Sequence, residues 1–110
     1  MERSSQLSAR FIRELSDLAE RLAARDVIVR SLHAEYSFFG CWQIVASKND
    51  EAIKFFWDNR DSYITVEGSP IRGYSAPNEW KHEAVKSFDK SSDDNPFIFV
   101  EDYLTKRFPV

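Results

Sequence analysis

The stretch that decides the fold is Trp42–Glu67, WQIVASKNDEAIKFFWDNRDSYITVE. Apolar residues fall at every second position in three runs: Trp42, Ile44 and Ala46, then Ile53, Phe55 and Trp57, then Ile64 and Val66. That period puts each set on one side of a pleated strand. Asn49-Asp50 and Asp58-Asn59-Arg60-Asp61 separate the runs, and these are residue types that tight turns select. A two-residue Asn49-Asp50 loop pairs Lys48 with Glu51, Ala46 with Ile53, Ile44 with Phe55 and Trp42 with Trp57. A two-residue Asn59-Arg60 loop pairs Asp58 with Asp61, Trp57 with Ser62, Phe55 with Ile64 and Ile53 with Val66; because Arg60 takes a positive φ less readily than Asn59, a four-residue loop with Asp58 and Asp61 splayed is the alternative. Both turns keep the apolar sets on one face, and a slip of one residue destroys that agreement. The spacing therefore predicts an antiparallel meander.

The same reading extends outward. Upstream, Val27 and Val29 set one alternation, and Leu32, Ala34, Tyr36 and Phe38 set the other phase. The change of phase near Arg30-Ser31 predicts a β-bulge or a strand break. A loop at 39–41 holding Gly40 then joins Phe38 to Trp42 and sets Tyr36 beside Ile44. Before this lies an amphipathic helix over 5–25, whose stripe is Leu7, Phe11, Leu15, Leu18 and Leu22. Downstream, Gly68–Pro77 reads as a loop punctuated by glycine and proline. Trp80, Ala84, Val85 and Phe88 then fit the stripe of a second helix over about 77–90. Asn95-Pro96 is a cap and first-turn signal for a third, with Phe97, Val100, Leu104 and Phe108 as its stripe. The order α-β-β-β-β-α-α predicts one α+β domain over 1–110 in two layers: an N-terminal helix, a four-stranded antiparallel meander and two C-terminal helices.

Composition narrows the class of function. At 43% hydrophobic and 15% aromatic, the chain has the makings of one packed core. Net charge is −3. Residues 1–30 hold six Arg against five acids, a net of +1, and residues 31–110 hold nine bases against thirteen acids, a net of −4. This balance argues against a nucleic-acid binder, which needs a concentrated basic face. The arginines of the first helix do not supply one, because Glu14, Asp17 and Glu20 interleave with them. Cys41 is alone, which fits a reducing compartment. There is neither a signal-peptide core nor an apolar run of about 20 residues, so a cytoplasmic protein off the membrane is expected.

Each chemical constellation has a simpler structural reading. His82-Glu83 begins a metalloprotease helix motif, but Lys86 stands where the second histidine belongs. With two His and one Cys, no metal site and no cofactor is expected, and "SSDDN" lacks the alternation of a calcium loop. Cys41 falls in the first hairpin loop with no sequence signal placing His33 or His82 beside it, so no catalytic residue is named. The meander sets His33 and Glu67 on the first and fourth strands, roughly 14 Å apart, too far for a dyad. No phosphate-cradling glycine loop or nucleophile elbow is present. Asp58 and Asp61, flanking Arg60 at a hairpin tip, read first as a turn.

What remains is surface. The expected register puts three rows on the sheet's other face: Ser37, Gln43, Phe56 and Tyr63; Glu35, Val45, Lys54 and Thr65; His33, Ser47, Ala52 and Glu67. A solvated sheet face is the plain reading. The functional one is a protein-binding surface of Phe56, Tyr63, Lys54 and Gln43, rimmed by Asp58, Arg60 and Asp61. By size, charge and lack of motifs, the chain is similar to small bacterial-style binding proteins such as toxin-neutralising immunity proteins. That analogy implies a non-enzymatic protein-binding or inhibitory module with another protein, a basic one by charge, as its partner. The alternative is a small-molecule-binding or enzymatic domain with a pocket between helices and sheet, lined by Trp42, Trp57, Trp80 and His82.

Overall fold

A computed structural model describes residues 9–35, 41–89 and 95–109. The elements are α1 (Ala9–Ala23), β1 (Ile28–Glu35), β2 (Cys41–Lys48), β3 (Glu51–Asp58), β4 (Tyr63–Pro70), β5 (Lys81–Ser87) and α2 (Pro96–Arg107). The strands form one antiparallel sheet in the order β1-β2-β3-β4-β5, so every connection joins neighbours. The class is α+β as expected, with five strands and two helices among the described residues.

The β2–β3 hairpin has the expected register throughout, Trp42 against Trp57 to Lys48 against Glu51. Asn49 and Asp50 both take positive φ, 56° and 63°, as a two-residue primed turn requires. The β3–β4 turn departs from the two-residue form. It is a four-residue loop, with Asp58 paired to Tyr63, Trp57 to Ile64, Phe55 to Val66 and Ile53 to Gly68. The left-handed position falls on Ser62, φ 57°, rather than on Asn59 or Arg60. The shift is two residues, so every side chain keeps its face. The first hairpin is corrected likewise: Ala34, not Phe38, faces Trp42, and Leu32, not Tyr36, faces Ile44. Cys41 therefore opens β2, half-buried, instead of sitting in the loop. Residues 36–40, with Ser37, Tyr36 and Phe38, lie outside the described residues. The bulge near Arg30 is present, between Val29 and Ser31.

The expected second helix is instead the edge strand β5. The pattern misled because a bulge interrupts the alternation. Val66 faces Ala84 and Glu67 faces His82, which leaves Glu83 as the extra residue. Both Glu83 and Ala84 then turn to the helix side, Glu83 to Tyr103 and Ala84 into the core cluster. The expected helical stripe is split between the two faces: Ala84 and Phe88 pack on the core, while Val85 and Trp80 lie on the other side of the sheet.

Both helices cover the same face of the sheet. Leu18 and Leu22 of α1, and Phe97, Val100 and Leu104 of α2, pack with Trp42, Ile44, Phe55, Ile64 and Val66 in one core. α1 ends in a doubly bonded C-cap, Val27 N–H to Leu22 O (2.9 Å) and Asp26 N–H to Ala23 O (3.0 Å), with Asp26 left-handed at φ 64°. Lys48 adds a bond to the Arg25 carbonyl (3.0 Å), where a cation suits a helix C-terminus. α2 begins as its sequence indicates: the Asn95 side chain accepts from Phe97 N–H (2.8 Å) and Pro96 follows. The described part of "SSDDN" is this cap, and residues 91–94 lie outside the described residues.

Candidate functional site

Two places combine exposure with chemistry: the sheet face away from the helices, and a cleft at the end of the core. The open face is built by strand parity. One row across it is His33, Gln43, Phe56, Thr65 and Val85, and the next is Ser31, Val45, Lys54, Glu67 and His82. Phe56 is 38% exposed and Val85 59%. The expected neighbours Gln43 and Phe56 are thus confirmed side by side, while Tyr63 lies one row nearer the hairpin tip, beside Asp58. His33 and Glu67 now fall in different rows with β2 and β3 between them.

One corner of this face is covered. The β4–β5 connection folds across it: Glu79 N–H donates to Ser69 Oγ (3.0 Å) and Ile71 N–H to Asp50 O (2.8 Å). Trp80 lies under the Lys54 ammonium, 4.3 Å from its ring centre, and Lys54 pairs with Glu67 at 3.3 Å. Ala52, Ser47 and Ser69 are buried there. The uncovered part of the face is therefore the Phe56–Val85 region. Lys54 is a structural post at its border.

The hairpin tip is a turn in its bonding. The Asp58 carboxylate accepts from Arg60 N–H and Asp61 N–H, both at 3.0 Å, and the Asp58 carbonyl accepts from Ser62 N–H at 2.7 Å. Asn59 accepts from the Trp57 indole at 3.0 Å. Asp58 is committed to the backbone, as an aspartate in such a turn is. Arg60 and Asp61 stay exposed at the rim.

The pocket residues do not come together. Trp42 and Trp57 stack on the helix side at 6.3 Å, and Phe97 stacks on Trp42 at 5.0 Å, so side chains occupy that space. Trp80 is on the opposite side of the sheet, over Lys54. His82 is exposed on that same side, in β5, opposite Glu67.

The cleft escaped the sequence reading. It has a volume of 260 Å³ and lies where β4 ends, β5 begins and α2 finishes, lined by Glu51, Lys81, Glu83, Arg72, Glu79 and Arg107 among others. Arg107 bridges Glu51 (2.7 Å) and Glu83 (3.3 Å), and Tyr103 O–H donates to Glu83 at 2.6 Å. Arg72 pairs with Glu79 at its mouth. Hydrogen bonding to Glu83 raises the Arg107 pKa further above its usual value, and the Arg72 hydrogen bond holds Glu79 below the usual carboxylate range. Burial first, then the bond to Glu83, push the Tyr103 hydroxyl up to about 12. Gly68 makes room for this network, because a Cβ there would lie 2.1 Å from Glu83 Oε2. Nothing in the sequence marked it: Gly68 reads there as the start of a loop, whereas β4 runs on through it to Pro70.

Among the described residues no group of three or more His, Cys, Asp or Glu is placed to hold a metal, and no buried side-chain nitrogen or oxygen lacks a partner. No described helix is long and apolar enough to cross a membrane. No protein-family model matches the chain, and no curated protein or solved structure is significantly similar to it.

Proposed function

We propose that this protein is a non-enzymatic module that binds another protein through the open face of its sheet, centred on Phe56 and Val85. The observation that carries the reading is that row itself. An aromatic and a β-branched residue stand exposed among Gln43, Thr65 and His33, on a face that no described helix covers. Apolar anchors inside a polar surround are how protein interfaces are built. Tyr63, Asp58, Arg60 and Asp61 extend the surface to the hairpin tip, and the acidic balance of residues 31–110 favours a basic partner. Inhibition by occlusion, in the manner of immunity proteins, suits so small a domain. A lone thiol suits the reducing cytoplasm.

The catalytic reading draws less support. Stacked rings fill the space between helices and sheet, and in the cleft Arg107 is held between Glu51 and Glu83 and Arg72 is paired with Glu79. The Arg107 and Tyr103 contacts tie α2 to the sheet.

The test is affinity capture from the cell that makes the protein, comparing wild type with the double variant Phe56→Asp, Val85→Asp. A partner held by wild type and lost from the folded variant supports the reading. Equal recovery with both refutes it.

A further inference from the structure

We propose that the charged cleft where β4 ends, β5 begins and α2 finishes is a binding site for a small zwitterion, a free α-amino acid with a short polar side chain. This goes beyond the open-face reading and uses neither Phe56 nor Val85.

The six charged side chains that line the cleft fall into two groups of opposite net charge. Arg107 is held between Glu51 and Glu83, so this group sets one cation against two carboxylates, a net of −1. Tyr103 O–H donates to Glu83 at 2.6 Å and fixes that carboxylate without altering the balance. Arg72 pairs with Glu79, and Lys81 stands with them, a net of +1. Among the described residues no hydrogen bond or ion pair engages the Lys81 ammonium. Its charge is felt at Glu79, whose carboxyl is held low by the Arg72 hydrogen bond first and then by the charges of Arg72 and Lys81.

Each group thus lacks one opposite charge, and a single molecule can supply both. Its carboxylate meets Lys81 and its ammonium meets Glu51 and Glu83, with charge-assisted hydrogen bonds at either end. Lys81 and Glu83 stand two residues apart on β5, at most about 7 Å along the strand, so both poles lie within reach of the two charges carried by one α-carbon. Size and lining narrow the ligand further. The volume, 260 Å³, is below the about 300–1,000 Å³ of drug-sized sites. Pro70 is the one apolar side chain among the described lining residues. The Ser69 hydroxyl is committed, donating to Pro70 O (2.9 Å) and accepting from Glu79 N–H (3.0 Å). Nothing in this lining rewards a large apolar side chain, so charge selects the ligand.

Two-dimensional amide NMR of the full chain tests the site, with L-serine as the probe, titrated to about 50 mM, enough to detect a Kd of millimolar order. Ethanolamine and 3-hydroxypropionate, the same molecule without its carboxylate and without its ammonium, are titrated beside it at matched ionic strength, because salt screens both poles. The expected result is saturable shifts centred on Gly68, Lys81 and Glu83 with L-serine, and no saturation with either half. Lys81→Met should keep the fold, since that side chain has no partner to lose, and should weaken L-serine binding by more than about tenfold. If Lys81→Met does not fold, the comparison of L-serine with its two halves on wild type decides. Absence of saturable shifts with L-serine overturns the proposal, and so does equal binding of either half or unchanged affinity in a folded Lys81→Met.

Discussion

Truncating Phe55 and truncating its chain neighbour Phe56 should cost very different amounts, because the two rings point to opposite faces. Phe55 is fully buried between Ile44 and Val66 on neighbouring strands, and Tyr103 meets its ring edge-on at 5.7 Å. Phe55→Ala removes that contact and leaves a cavity, which for a core phenylalanine costs about 3–5 kcal/mol. Phe56 is 38% exposed, so its truncation opens to water and leaves no sealed cavity. Full burial of such a side chain is worth about 1.5–3 kcal/mol, and the fraction realised here gives about 1–2 kcal/mol. Urea unfolding followed by tryptophan fluorescence reads the difference. With a slope of about 1.5 kcal/mol/M, Phe56→Ala lowers the midpoint by about 1 M, and Phe55→Ala by about 2–3 M. If Phe55→Ala does not fold, Phe55→Leu supplies the comparison at lower cost. Equal losses at the two positions would mean that both faces of the sheet are enclosed, and the one-sided core would be wrong.

Three further outcomes follow from local geometry. Gly68→Ala should displace the Glu83 carboxylate and cost about 1–3 kcal/mol through its lost partners, but much less in a Glu83→Ala background, a coupling that a double-mutant cycle measures. Tyr103 is held protonated in the fold, up to about 12, so its share of stability is complete below the unfolded value near 10 and is lost as pH rises from there towards 12. Wild type should therefore lose about 1 kcal/mol more than Tyr103→Phe over that range in alkaline unfolding, a figure reduced for solvent screening. At the hairpin tip, Asp58→Ala removes an acceptor of two backbone N–H groups and should cost about 1–2 kcal/mol, while Asp58→Asn retains an acceptor and should stay within about 0.5 kcal/mol in thermal melts.

Much of the fold was legible because strand parity is written directly into residues 42–67. Trp42, Ile44, Ile53, Phe55, Trp57, Ile64 and Val66 share the core face as their alternation implies. Parity does not fix register, however. The β3–β4 pairing lies two residues from the expected one and the β1–β2 pairing four, and an even shift leaves every side chain on its face. Ser62 carries the left-handed turn position, which nothing in its residue type advertises. β5 is not legible as a strand because Trp80, Ala84, Val85 and Phe88 stand at helical spacing although they lie on both faces of the sheet. The open face was legible at Gln43 and Phe56, where the register was right, but Val85 could join it only once β5 was a strand. The charged cleft was beyond reach, since Glu51, Glu83, Tyr103 and Arg107 meet only through the packing of α2 on the sheet.

The Phe56–Val85 face is the surface proposed to bind a protein. Photo-crosslinking in the cell that makes the chain tests it most directly, with a benzophenone side chain placed at position 56, at 85, or at Ile98 on α2, which is also exposed. A partner seated on this face gives one discrete cross-linked protein from positions 56 and 85 and none from 98. Cross-linking from 98 alone, or none from 56 and 85, would contradict it.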